Sequence, residues 1–196
     1  ERIEKLLGPH EGMNDPRDIN HALSKLPEFQ ALSSSVRSHL KRAVIAAEDG
    51  KFMSHNGFDW QSIKKAMKKN VERGQLAAGG STISQQLAKN LFLSPSKNYV
   101  RKLQEAVITL MIEATWDKRR ILEVYLNVVE WGDGTFGAQA AAQKHYRTRA
   151  ANITPAQAAQ MAVMLPNPRQ FEDRLPAYAV RYSATVRRRM PSTRIP

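Results

Sequence analysis

The sequence contains no cysteine, which rules out a disulfide framework and any thiolate metal site and fits either redox compartment. No apolar run approaches the roughly 20 residues of a membrane-spanning helix. A signal-peptide pattern is also missing at the start. The chain opens at Glu1 without a methionine, so an upstream targeting or anchoring segment is expected to have been removed. Strand patterning is nearly absent, there is no internal repeat, and the periodicity that remains is helical, so the fold is predicted to be mainly α. Acidic residues are scarce: 18 Asp and Glu stand against 30 Lys and Arg, a net charge of +12 and a pI near 10.2. That surplus points to a polyanionic partner, whether nucleic acid, an anionic membrane surface or a phosphorylated substrate. With 196 residues the chain is long enough for one domain with a real core.

What is present centres on AVIAAEDGKFMSHNGFD, Ala43 to Asp59. An apolar helical approach delivers two adjacent carboxylates, Glu48 and Asp49, to a break at Gly50, and Phe52, His55, Gly57 and Asp59 follow within a short loop. Read alone, such a pair also describes an ordinary helix terminus. Carboxylates held at the lip of a core, however, have their charged form disfavoured by desolvation, which suits acid/base chemistry.

Residues 1–32 are polar, broken by Pro9, Pro16 and Pro27, and read as an extended lead-in. Ser33 to Ser35 are candidate N-caps for the helix that reaches Ala47. Trp60 to Arg73 is an amphipathic helix whose stripe Trp60, Ile63, Met67 and Val71 is expected to pack on the core, with a bilayer surface as the other use for so basic a helix. Gly79 and Gly80 precede a helix with a Thr82/Gln85 capping box, an arrangement expected to leave backbone N–H groups open to an anion. Along it Ser81, Thr82, Gln86 and Lys89 offer hydroxyls, an amide and an ammonium suited to phosphate, while Ile83, Leu87 and Leu91 face inward. The lysine falls too late for a Walker loop. Tyr99 to Trp116 carries two apolar stripes, Leu103, Val107, Leu110, Met111 and Ala114 on one and Ile108 and Ile112 on the other, and is expected to be a central helix. Glu105 is then buried or cleft-facing, with Arg101 or Lys102 beside it. Helices are predicted over 120–126, 138–146 and from Thr154, with Pro155 at N1, to Leu165.

Four stretches in order and spacing, EDGKFMSHNGFD, GGSTISQQLAKN, RKLQEA and KRRILEVYLNVVEWG, resemble the peptidoglycan glycosyltransferases of family 51 over about Val44 to Pro168. With no penicillin-binding module following, the resemblance is to the monofunctional type. It implies a lysozyme-like helical glycosyltransferase domain at 33–196, after the lead-in, with a small membrane-associated lobe near 58–78. It also implies polymerisation of lipid II by inverting transfer with release of undecaprenyl pyrophosphate, at the periplasmic face of the inner membrane, and a target for moenomycin. Glu48 matches the general base and Glu105 the second acid, electrostatic or organising the phosphate and any divalent metal. Ser81, Thr82, Gln86, Lys89, Asn90, Arg101 and Lys102 match sugar-phosphate-binding positions; Asp49 and His55 match supports. The implied partners are lipid II, the growing glycan, the membrane surface and penicillin-binding or divisome proteins, with no nucleic acid. The resemblance leaves Mg2+ or Mn2+ open as a cofactor.

The sequence departs from the family at His145-Tyr146-Arg147, where a Tyr-Phe-Gly-like turn is common, and the tail from Arg187 carries no motif. Two rivals compete. A lysozyme-like hydrolase would use Glu48 and Glu105 as its paired carboxylates, but it has no use for the cationic face around Lys89. A nucleic-acid-binding module accounts for the charge alone.

Overall fold

The computed structural model of the protein describes residues 18, 38–73, 80–93, 99–172 and 174–196. The expected lead-in (Asp18 apart), the caps at Ser33 to Ser35, Gly79 and the 74–78 end of the expected lobe lie outside the described residues. The described chain is helical: α1 Ser38–Glu48, α2 Trp60–Arg73, α3 Ile83–Phe92, α4 Tyr99–Thr115, α5 Lys118–Val128, α6 Ala138–Tyr146, α7 Pro155–Ala162, α8 Pro168–Phe171 and α9 Ala177–Arg189. Single 3-10 turns occupy Phe52–Ser54, Ala150–Asn152 and Met190–Ser192. Among the described residues β pairing is limited to one isolated bridge, Glu130 with Phe136, across the glycine-rich turn. The prediction of a mainly α chain therefore holds.

Two helix sets build the core. Helix α1 packs on α7 and α9, and its buried Ala43, Val44, Ile45 and Ala46 meet a helix that buries Ala158, Ala159 and Ala162. Small side chains on both surfaces let the two backbones approach closely. Helix α3 packs on α4 and α5. Glu113 of α4 ties this set together, accepting from the Ser84 hydroxyl of α3 and from Lys118 Nζ at 2.7 Å at the start of α5. Asp117 caps α5 by accepting from the Arg120 N–H, so the helix starts two residues before the predicted 120. At the other end, α7 stops at Ala162 and a series of turns, instead of helix, carries the chain past Leu165.

Two expectations fail on which stripe faces inward. The central helix is α5, which buries Ile121, Leu122, Val124, Tyr125, Leu126, Asn127 and Val128. Helix α4 instead lies on the surface with its apolar stripe outward: Leu103 is 69% exposed, Val107 52% and Leu110 55%, while Glu105, Thr109 and Ile112 are buried. A stripe of period 3.6 fixes a face and does not say which way it points. Likewise the α2 stripe does not pack on the core, because Trp60, Met67 and Val71 are all exposed. Contact runs through Ala66 and Ile63, whose Cα lies 3.2 Å from where a Cβ on Gly80 would sit.

The carboxy-terminal region is ordered against α1. Arg42 Nη1 donates to the carbonyls of Met190 (3.3 Å) and Pro191 (3.0 Å), and the Tyr182 hydroxyl donates to the Ala47 carbonyl at 3.0 Å. Arg147 closes α6 in the left-handed region at φ 51°.

Candidate active site

Helix α1 exists to end where it does. Its apolar residues bury the helix, Asp49 closes the last turn through its N–H to the Ile45 carbonyl (3.0 Å), and Gly50 turns the chain away. The Asp49 carboxylate is 5% exposed and fully engaged. His55 Nε2 lies 2.9 and 3.0 Å from its two oxygens, and the Ile83 N–H at the start of α3 donates to it at 3.1 Å. A carboxylate on a helix N-terminus is favourable through both the hydrogen bond and the helix dipole. His55 and Asp49 are thus bonded to each other and to the start of α3.

This arrangement corrects the expected open anion site at the start of α3. The Ile83 N–H serves Asp49, while Thr82 and Gln85 satisfy each other reciprocally: the Gln85 N–H donates to Thr82 Oγ1 (3.2 Å) and the Thr82 N–H to Gln85 Oε1 (3.1 Å). The Thr82 hydroxyl is buried and donates to the Gly57 carbonyl at 2.6 Å, so Thr82 frames the site. Gly57 is the joint on which this depends. Its φ is +90°, and a Cβ there would meet Thr109 Cγ2 of α4 at 2.8 Å. Only glycine allows the loop both that backbone and that approach.

Glu48 keeps an open side. One of its oxygens accepts from Gln86 Nε2 at 2.8 Å, and the Gln86 Oε1 accepts from the buried Tyr125 hydroxyl at 2.8 Å. Tyr125, on α5, thereby fixes the orientation of the amide that holds Glu48. Burial raises the Glu48 carboxyl above the usual carboxylate range and the Asp49 charge adds to this, while the Gln86 hydrogen bond and the Lys89 charge oppose it. Burial, with Glu48 and Asp49 beside it, also pushes the Tyr125 phenol well up, so the tyrosine stays a donor. Glu48, Gly50, Asp59, Ser62, Gly80 and Ser81 line a cleft of about 130 Å3.

A second set lies on α4. Glu105 is 2% exposed and its two oxygens meet Arg101 Nη1 at 3.6 Å and Lys102 Nζ. Thr109 locks the turn by donating to the Glu105 carbonyl at 2.6 Å. Lys89 projects from α3 close enough to Glu48 to act on its charge, and Asn90 beside it is half-buried. Past the end of α3, Phe92, Leu93, Leu103, Val107 and Ile108 line an apolar groove of about 380 Å3. The structure thus gathers Glu48, Asp49, His55, Ser81, Thr82, Gln86 and Lys89 around the junction of α1 with α3, and holds Arg101, Lys102 and Glu105 as a separate ion-paired group on the adjoining helix.

The donor set does not suit a protein-built divalent-cation site. Among the described residues no three His, Asp or Glu groups converge, Glu105 already faces two cations, and Asp49 is saturated by donors. Tyr125 is the site residue that the sequence does not reveal. In ILEVYLN it reads as one more core position, and its partner lies 39 residues away.

The sequence profile of the transglycosylase family matches residues 20–191, covering both sets. The chain belongs to the transglycosylase family. This transglycosylase is 59% identical over 158 residues to the biosynthetic peptidoglycan transglycosylase of Aromatoleum aromaticum, covering 81% of this chain and 69% of that one. It is 54% identical over 178 residues to the protein of the same name from Dechloromonas aromatica, covering 88% and 77%. To that from Azoarcus sp. it is 59% identical over 158 residues, covering 81% and 68%.

Proposed function

We propose that this transglycosylase is a peptidoglycan glycosyltransferase that polymerises lipid II by inverting transfer and releases undecaprenyl pyrophosphate. The observation that carries the proposal is Glu48: a carboxylate raised by burial, fixed by the Tyr125–Gln86 chain, and open to the cleft it lines, with Lys89 close enough to act on its charge. Glu48 removes the proton from the acceptor sugar's 4-hydroxyl. That oxygen bonds to the donor's anomeric carbon from the opposite face, and the bond to pyrophosphate breaks with its electron pair leaving on the phosphate oxygen. Pyrophosphate is a good leaving group, so the site needs charge stabilisation more than a strong acid. Lys89, Arg101 and Lys102 supply it, with Ser81, Gln86 and Asn90 as polar partners and Thr82 holding the frame. Glu105 serves as the counter-ion that aligns Arg101 and Lys102, with both oxygens on cations and no arrangement for donating a proton. That disfavours the hydrolase reading, which asks Glu105 to be an acid.

The exposed apolar stripes of α2 and α4 are the faces we assign to the lipid side of the reaction, with the groove along Leu103 and Val107 for the polyprenyl chain. Among the described residues no helix is long and apolar enough to cross a membrane. We place the domain in the cell envelope, at the periplasmic face of the inner membrane, where penicillin-binding or divisome proteins would be its neighbours. The test is incubation with lipid II in detergent. Glycan polymer with one undecaprenyl pyrophosphate released per glycosidic bond formed supports the proposal; reducing sugar ends without lipid pyrophosphate would return the hydrolase.

A further inference from the structure

Sharing Gly50 with the Glu48 cleft is a recess of about 330 Å3, in the size class of small-molecule sites. Gly50, Met53 and Ser54 form one wall, and Arg189 and Arg194, from the tail that carries no family motif, form the other. No acidic residue lines it. Arginines in the last turn of α9 complement the helix dipole, which accounts for Arg187, Arg188 and Arg189. It does not account for Arg194, which stands beyond the helix and lines the same recess.

The wall is fixed in place. Ser192 Oγ and Thr193 Oγ1 each donate to the Arg189 carbonyl at 2.9 Å, and Arg42 of α1 holds the next two carbonyls. Tyr182, in the same helix as Arg189, donates to the Ala47 carbonyl and so ties that helix to the last turn of the helix that delivers the base. Two arginines and Ser54 lining one recess, on a backbone held by these bonds, offer the donor types that recognise an oxyanion.

We infer that the recess between Gly50 and the Arg189–Arg194 tail is an oxyanion subsite, holding a carboxylate or phosphate of a substrate whose reacting hydroxyl or anomeric carbon lies at Glu48. The inference rests on the proposed lipid II reaction, whose disaccharide-peptide substrate carries both oxyanions: pyrophosphate at one end and carboxylates on the peptide.

Equilibrium binding of lipid II in detergent tests this without requiring turnover. Arg189→Gln with Arg194→Gln is compared with the wild type and with Arg187→Gln, Arg188→Gln, which removes the same charge outside the recess. The first pair is expected to weaken binding about tenfold and the second to leave it near the wild-type value, with equal melting temperatures. Lipid II with amidated peptide carboxylates separates the sources. If the wild type already binds it about tenfold more weakly and the Arg189/Arg194 pair adds nothing, the oxyanion is the peptide's. If the pair weakens both substrates alike, it is the pyrophosphate. Unchanged binding in the first pair, or an equal loss in the second, overturns the subsite. Turnover by the wild type, measured in parallel, reports separately on the lipid II reading.

Discussion

Helices α3 and α4 pack against each other, and in sequence each carries an apolar stripe beside a polar one, yet they meet the core in opposite senses. Helix α3 buries Ile83, Leu87 and Leu91 and turns Lys89 outward, as an amphipathic surface helix should. Helix α4 buries Glu105 and Thr109 and turns Leu103, Val107 and Leu110 outward. The inversion is tolerable because each buried polar group has a partner: Arg101 and Lys102 for the carboxylate, the Glu105 carbonyl for the Thr109 hydroxyl. What it provides is a cationic set ion-paired on its own helix and an apolar surface left facing outward.

The contrast can be broken in order of size. Leu87→Ala should cost about 2–5 kcal/mol in chemical denaturation, as a fully buried leucine does, whereas Leu103→Ala should stay within about 0.5 kcal/mol. Equal costs would mean α4 does not face outward as described. Leu103→Asp with Val107→Asp should lower cosedimentation with anionic phospholipid vesicles about tenfold or more and leave the melting temperature unchanged, because each introduced charge opposes burial in the interface. Retained binding would detach the apolar stripe from the membrane.

Tyr125→Phe should lower kcat about tenfold with KM unchanged, since it removes only the hydroxyl that orients the Gln86 amide. It should also move the acidic limb of the pH–rate profile upward, because a disordered Gln86 supports the Glu48 charge less well. A KM effect instead would make Tyr125 a packing residue. Glu48→Gln should raise the melting temperature at pH 7. Burial lifts the Glu48 pKa in the folded state, so the folded protein holds the proton longer and stability falls as pH rises from the ordinary carboxylate value through the raised one. The glutamine variant escapes that fall, and its advantage should vanish below the unfolded pKa. Arg147→Gly, smallest of all, should add about 1 kcal/mol at the left-handed end of α6.

Much of this is legible in the chain because it is local. The Thr82–Gln85 box, the Pro155 start, the Glu48–Asp49 pair at Gly50 and the Arg101–Lys102–Glu105 cluster are all set within a few residues, and the structure places each as read. What escapes is set by partners far apart. Asp49 fills the start of α3 from 34 residues away, so the glycine pair that reads as an open anion site is partly closed by the protein's own carboxylate. Tyr125 becomes a site residue only when α5 lies under α3. The outward faces of α2 and α4 have the periodicity of buried ones, and nothing in an isolated helix distinguishes a stripe that meets the core from one that faces outward.

The account stands or falls on Glu48 as the base. Single-turnover conversion of lipid II, with binding measured alongside, compares the wild type with Glu48→Gln. The account predicts a rate lowered about 10²–10⁴-fold with lipid II binding intact, because the isosteric amide keeps the shape and cannot take the proton. Conversion at the wild-type rate by the glutamine variant would contradict it.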